Sequence, residues 1–491
     1  MFIYAYFTLF VDRKLYYYVY VITVYMNNEI IKVAKEIGKN MDIPVEVKQI
    51  GNNYYLYKDT TKWDKDKKKR VRVSEYIGKI NENGLVEKNR ISIYEYANSE
   101  LLLESLDTII PNLKRYFPYI YENIIAMSII KTINNVPIRL MKSQWSKLYA
   151  SENIDAHLSP NTISDTLKTI GKDFESQRRF FKSIMDNSKY LIFDLSSLFS
   201  RSENINIVEK GYNHEHKNIK QINFALIFSK NNKPVILEPL PGSVRDMKSM
   251  DFIIKTYELK NSIIIADRGL SSYEVTENMR KNKIDFIIAL RRNMNIIDYT
   301  INMDKNFIYH DRGINSGVKE TSYGYLYIFE DVMMRADEET TFISYIKEGK
   351  RSNDDLIKSR VKFGKISILS SLNIDNEEIF KLYKEREEVE QVFDTMKNTL
   401  EYDKMYLQDT YSLRGYFFIS FISLYSYYSI VQLLKKNNVY PKISVKEVLL
   451  ELSKIYAIKN SARRYLSEIP EKPKKIADIL GVKLYPKILR N

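Results

Sequence analysis

Hydrophobic texture changes three times along the chain. The runs KYLIFDLSSLF (189–199), KNSIIIADRGL (260–270) and KIDFIIALRR (283–292) are almost continuously apolar. Strands read this way when both faces are covered, because the usual inside–outside alternation is lost. INFALIFSKNNKPVILEPLPG (222–242) reads as two strands around Asn231-Asn232, and a helical pattern separates the last two apolar runs. Strands and helices in this order predict an α/β layer with a mixed sheet over residues 189–294. Residues 295–372 return to strand-like stretches, TSYGYLYIFEDVMM and KISILSSLNI, and are expected to form a β-rich insertion.

Upstream, VEVKQIGNNYYLYKD offers two extended runs around Gly51-Asn52-Asn53, so residues 44–95 read as a small β-rich region. Residues 96–188 are helical in pattern. Within them HLSPNTISDTLKTIG has a Ser-Pro helix start, Ile163, Leu167 and Ile170 at helical spacing, and Gly171 as a stop. Following a helix with Trp145, Leu148 and Tyr149, it resembles the second half of a helix-turn-helix, which predicts a helical DNA-binding region. Residues 436–491 read as a basic helical end.

Two segments are apolar enough to raise a membrane question. The first, within residues 1–43, is broken by Asp12, Arg13 and Lys14, leaving pieces shorter than the roughly 20 residues a span needs. No small-residue cleavage site follows, so a secretory signal is not expected; a start set too far upstream of Met26 or Met41 is the plain reading. The second, GYFFISFISLYSYYSIVQLL (415–434), is uncharged but rich in Ser and Tyr, and is expected to be a buried core helix rather than a span.

Composition narrows the partners. Lys and Arg outnumber Asp and Glu by 76 to 62, a net +14 that suits a polyanion. With no cysteine, disulfides and thiolate metal sites are excluded, and any metal must be held by oxygen or imidazole. Lys58–Arg72 carries eight basic against three acidic residues around Trp63; it is either a solvated loop or a phosphate-contacting arm.

The candidate chemistry lies in carboxylates. Asp194 sits inside an apolar strand, where an ionised group is costly unless paired, and a bound cation is the usual partner. Asp267 follows Ile263–Ala266 at the C-terminal end of another buried strand, the edge at which open α/β sheets bind ligands. Each could also be a capping or turn aspartate. A third acid lies in a helix reading YKEREEVEQVFDTMK (383–397). There Val389, Val392, Phe393, Met396 and Leu400 make a core stripe. At ~100° per residue, Tyr383, Arg386, Glu390 and Lys397 fall on a second stripe along its edge. Periodicity leaves open whether Arg386 and Glu390 form a surface i,i+4 pair or part of a site. Asp246, in SVRDMK, is at best a supporting residue. His214 and His216 share a face, but with no further His or Cys nearby a zinc site is not expected.

The spacing Tyr383-x2-Arg386-x3-Glu390-x6-Lys397, preceded by IFDLSSLF with Asp194 and IIADRGL with Asp267, resembles DDE-type insertion-sequence transposases with the YREK signature, the IS-four-like superfamily. GYNHEHKNIKQINFALIF, PLPGSVRDMK and YLYKDTTKWDKDKKKR are similar to other segments of that family, and the resemblance covers roughly residues 44–435. It implies an α/β fold with a ribonuclease-H-like mixed sheet flanked by helices (189–294 and 373–435), the β-rich insertion and an N-terminal DNA-binding region. It implies that Asp194, Asp267 and Glu390 are the catalytic, metal-binding triad, and that Tyr383, Arg386 and Lys397 hold DNA, joined by His216 and Arg268. The expected cofactor is Mg²⁺, as two ions with Mn²⁺ as a substitute, since oxygen-only ligands suit hard cations. The expected partners are double-stranded DNA, as terminal inverted repeats and target, and a second copy in a homodimer on DNA. No membrane is expected, and localisation would be cytoplasmic, at the nucleoid. The implied reaction is metal-dependent end cleavage and strand transfer. The rival readings are an inert DNA-binding or regulatory protein of this descent, and a nuclease without strand transfer. Some relatives stack a flipped base on a tryptophan of the insertion. This insertion has none, and Tyr323, Tyr325 and Tyr327 are the candidates in its place.

Overall fold

The computed structural model describes residues 3–11, 14–22, 28–64, 68–86, 91–134, 136–185, 189–212, 218–230, 233–244, 246–387, 407–460 and 463–480. It divides into two compact units. One comprises residues 1–93, 457–466 and 487–491; the other, residues 94–456 and 467–486.

The first unit begins with an antiparallel hairpin, β1 (Ile3–Val11) and β2 (Lys14–Ile22), paired from Ile3↔Ile22 to Val11↔Lys14. Helix α1 (Asn28–Asn40) follows, then an antiparallel sheet of β3 (Val45–Ile50), β4 (Asn53–Asp64), β5 (Lys69–Asn81) and β6 (Gly84–Val86). Gly51 has φ 59°, the left-handed conformation a two-residue turn between Ile50 and Asn53 requires. The α1 helix was not expected from the pattern of residues 1–43. Ile30 and Ala34, one turn apart, bury against Val47, Leu56 and Ile80, so this segment supplies the lid of the sheet's core rather than an appendage. The first segment of this unit ends within β7 (Ser92–Glu95).

The second unit opens with six helices: α2 (Ala97–Leu106), α3 (Ile110–Tyr116), α4 (Tyr121–Ile133), α5 (Ile138–Trp145), α6 (Pro160–Lys172) and α7 (Phe174–Met185). The Ser159 hydroxyl caps α6 by accepting from the Thr162 amide, as the Ser-Pro start predicted. Residues 146–159 separate α5 from α6, well beyond the 3–4-residue turn of a helix-turn-helix. The buried side of α6 also has a specific job. A Cβ on Gly171 would lie 1.8 Å from the Tyr411 carbonyl oxygen, and one on Gly415 would lie 2.0 Å from that of Leu167. Two glycines therefore let α6 and the long helix Thr410–Lys436 touch backbone to backbone. That helix is long and apolar enough to cross a bilayer, yet 78% of its apolar window is buried within the protein. Phe418 and Phe421 pack edge-on against Phe180 and Phe181 of α7.

Behind these helices runs one large mixed sheet. Its strands are β8 (Tyr190–Phe199), β9 (Glu209–Tyr212), β10 (Asn218–Ser229), β11 (Pro234–Pro241), β12 (Ile263–Ala266), β13 (Asp285–Ala289), β14 (Lys305–Tyr309), β15 (Arg312–Thr321), β16 (Gly324–Asp331) and β17 (Lys365–Ser370). The spatial order is β11-β10-β8-β12-β13-β17-β16-β15-β14, with β9 beside β10. β8, β12 and β13 are parallel; the other pairings are antiparallel. Crossovers through α8 (Asp246–Tyr257) and α9 (Tyr273–Lys281) bring the chain back for each parallel strand.

The insertion extends the same sheet through β13–β17 pairing. It also contains two helices, α10 (Val332–Lys347) and α11 (Asn353–Arg360). The strand-like DVMM becomes helical because the Asp331 carboxylate accepts from the Met334 amide at 2.9 Å and caps α10. The chain then enters α12 (Asn376–Lys384), capped by Asp375.

Candidate active site

Register brings the two strand aspartates together. β8 and β12 pair in parallel from Tyr190↔Ile263 to Phe193↔Ala266. One step further sets Asp194 beside Asp267, where β12 ends and its last carbonyls give way to the short 3₁₀ turn Arg268–Leu270. Both lie at the centre of the sheet; Asp267 follows the C-terminal end of β12, whereas Asp194 stands midway along β8, where its parallel pairing with β12 stops. Asp194 Oδ1 accepts from the Leu195 amide at 3.0 Å.

Arg386, two residues past the end of α12, places a positive charge between them. Ile379, Phe380 and Leu382 are buried and seat the helix over β12 and β13, which turns Tyr383 and the following Arg386 toward the aspartates. Arg386 Nη1 lies 3.9 Å from Asp194 Oδ2, and its Nη2 lies 3.6 Å from Asp267 Oδ1. The sequence alone paired Arg386 with Glu390 or with DNA; in the fold its guanidinium meets the two carboxylates. A carboxylate pair this close to the core needs such a counter-charge. The Arg386 guanidinium also sits 5.9 Å from the centre of the Tyr383 ring. Burial pushes the Tyr383 phenol up from its ordinary pKa, with the Arg386 charge opposing it in part. Tyr383 therefore holds its proton at neutral pH and can act as a hydrogen-bond donor.

Arg268 is mostly exposed, with Nε 3.8 Å from Asp267 Oδ1. Asp267 Oδ1 is buried and accepts no hydrogen bond among the described residues. Glu390, Lys397, His214 and His216 lie outside the described residues, as does the side chain of Asp246, whose backbone starts α8. Among the described residues no group of three or more His, Asp or Glu side chains converges as a metal cluster.

A cavity of about 900 Å³ adjoins the pair on the insertion side. Arg268, Arg292, Lys365, Lys384 and Arg386 give it a basic lining. Arg292 is fixed by Glu338 of α10 through two bonds of 3.1 and 2.8 Å, and Glu338 also accepts from the Gly364 amide at 2.9 Å. Sequence reading missed Arg292 and Lys365; the Arg291-Arg292 pair ending the run KIDFIIALRR was the available signal.

Of the three insertion tyrosines, Tyr327 cannot stack a base. It is wholly buried, and its hydroxyl donates to the carbonyls of Leu372 and Ile374 at 3.0 Å each, tying β16 to the approach of α12. Tyr323 is partly exposed and leans on Tyr273 with ring centres 4.4 Å apart.

Residues 196–425 match the family model described as Transposase DDE domain. The matched stretch begins just after Asp194 and takes in Asp267, Tyr383, Arg386, Glu390 and Lys397. No curated protein matches the chain.

Proposed function

We propose, from the premise that residues 196–425 form a transposase DDE domain and so act in DNA transposition by a DDE mechanism, that Asp194, Asp267 and Glu390 are its three acids. On this reading the chain is of the YREK type, and its core is ribonuclease-H-like: an antiparallel β8-β10-β11 meander continued by parallel β12 and β13. The observation that carries the assignment is the register that sets Asp194 beside Asp267 with Arg386 reaching both.

The residues fit a hard divalent cation. The donors are carboxylate oxygens, and Asp267 Oδ1 is buried without a hydrogen-bond donor among the described residues. Mg²⁺ held there, or Mn²⁺ in its place, would neutralise phosphate charge and activate the attacking hydroxyl. The chain's own groups do the rest. Arg386 sets its positive charge against both carboxylates in a partly buried setting. Tyr383, whose phenol keeps its proton at neutral pH, donates to a phosphate oxygen of the bound strand. Arg268, Lys384 and Lys397 place further positive charge along that strand, with His216 beside it.

In the first step water attacks the phosphorus at the transposon end, the P–O3′ bond breaks, and a 3′-hydroxyl is released. That hydroxyl then attacks a target phosphodiester, forming a new P–O3′ bond and freeing a target 3′-hydroxyl. Two ends must be held at once, which favours a homodimer on double-stranded DNA.

Cleavage of an end-containing duplex with Mg²⁺ tests the assignment. Asp194→Ala, Asp267→Ala and Glu390→Ala should each lower the rate by about 10³-fold or more, the scale of removing one member of a preorganised charge-stabilising site, while duplex binding persists. Full Mg²⁺-dependent cleavage by any of the three would remove that residue from the triad.

A further inference from the structure

The β4–β5 hairpin outruns its own sheet. β3 pairs with β4 no further than Val45↔Lys58, and β6 pairs with β5 only from Lys79 to Asn81. β4 and β5 nevertheless keep pairing outward, from Asp59↔Ser74 to Asp64↔Lys69. This outer part is a two-stranded ribbon about 20 Å long at ~3.4 Å per residue. None of its residues belongs to the core formed by Ile30, Ala34, Val47, Leu56 and Ile80. A bare two-stranded ribbon is marginal in water. Here charged cross-strand pairs brace it. Arg72 grips Asp59 through two bonds of 2.7 and 2.6 Å, and Lys62 meets Glu75 at 2.8 Å.

Paired residues share a face, so Trp63 and Arg70 stand directly opposite each other, on the same side as Thr61 and Arg72. Trp63 is 62% exposed and Arg70 is exposed. Lys62 and Lys69 occupy the other side, also exposed. A large aromatic ring held in water beside guanidinium groups, on a ribbon with no packing of its own, marks a contact surface.

We propose that this ribbon is a duplex-DNA-binding element that enters the major groove with its Trp63–Arg70–Arg72 face. The inference rests on the DNA partner that the transposase domain implies, and it adds a site outside residues 196–425. The geometry suits the groove: two strands about 4.8 Å apart fit a channel ~12 Å wide, which admits a two-stranded ribbon. Arg70 carries the fork that reads base edges, while Asp59 holds Arg72 through Nε and Nη2 and so fixes its guanidinium to meet a backbone phosphate through Nη1. Lys69 reaches a flanking phosphate, while Lys62 stays paired with Glu75.

The test uses the full chain and a mixed-sequence duplex of about 30 base pairs, roughly three turns of groove. Fluorescence anisotropy across several salt concentrations should show Trp63→Ala/Arg70→Ala binding about tenfold or more weaker, and Lys69→Ala should flatten the salt slope by about one. A second readout needs no variant. The chain has two tryptophans, and Trp145 is 5% exposed, so acrylamide-quenchable emission comes from Trp63. Duplex DNA should shield that emission. Binding by the double variant within twofold of wild type, or Trp63 remaining equally quenchable when duplex is bound, would overturn the proposal. Shielding by single-stranded but not by duplex DNA would do the same. Failure of the catalytic reading is separately visible, because Asp194→Ala should keep the shielding while losing cleavage.

Discussion

The covered part of the large sheet and the outer edge of its insertion handle burial and charge in opposite ways. On the β8–β13 side, every residue of β12 and all but the last of β11 are buried, and helices cover the strands. At the outer edge of the insertion, beyond the buried middles of β16 and β17, β14 buries none of its residues, and α10 and α11 bury none although they carry Met333, Ile343, Tyr345 and Ile357. Charges follow the same division. In the covered half they are few and tied to partners in the interior: Glu238, 2% exposed, accepts from Arg414 and from the Tyr257 hydroxyl, each at 2.8 Å. In the insertion they pair at the rim, as Lys319 with Asp298 at 2.7 Å. A covered sheet can hold carboxylates in one geometry because moving them would expose a core. An open one offers surface and reach instead.

Substitutions can break this contrast. The largest effect is expected from Arg414→Ala, which strands the Glu238 carboxylate in the interior and should lower stability by ~3–5 kcal/mol in denaturant unfolding. Arg292→Ala, which breaks the more exposed pair to Glu338, should cost under ~1 kcal/mol. Equal losses would erase the distinction between the halves. Next comes a matched apolar pair. Ile265→Ala, fully buried in β12, should cost ~2–5 kcal/mol, whereas Ile357→Ala, 73% exposed on α11, should stay within about 0.5 kcal/mol.

Gly415→Ala sharpens the account of the covering layer. Alanine favours a helix over glycine by ~1 kcal/mol, but here its methyl would meet the Leu167 carbonyl. We expect a net loss of about 1–3 kcal/mol; a gain would show that α6 and the long helix have slack between them.

The smallest effect is a pH dependence. Hydrogen bonds from Lys319 and Thr300 hold the Asp298 carboxyl well below its ordinary range. Its stabilisation is therefore present above the unfolded value near ~3.9 and is lost as pH falls through that value and below. Asp298→Asn should flatten this acid limb slightly, seen as a smaller drop in unfolding midpoint between neutral and acid pH.

Much of the covered half was legible in advance. Unbroken apolar runs mark β8, β12 and β13, Asn231-Asn232 marks the β10–β11 connection, and the Ser-rich apolar stretch marks a buried helix. The insertion was read less well, because exposed helices such as α10 and α11 have no apolar face to impose a period, and the cap at Asp331 outweighs the strand-like residues after it. α1 was passed over because its short apolar stripe gains meaning only against Val47, Leu56 and Ile80. Tyr327 looked available for stacking until β16 took an interior place.

Local sequence settles what acts over a turn or along one strand. It places Asp194 and Asp267 in buried-strand contexts and predicts Tyr383 and Arg386 on one helical edge, whereas α12 ends at Lys384 between them. It could not choose between a surface pair and a site for Arg386. That choice is tertiary. The offset between β8 and β12 is fixed by burial of whole apolar strands, and only that offset sets two distant aspartates side by side and leaves Arg386 facing both.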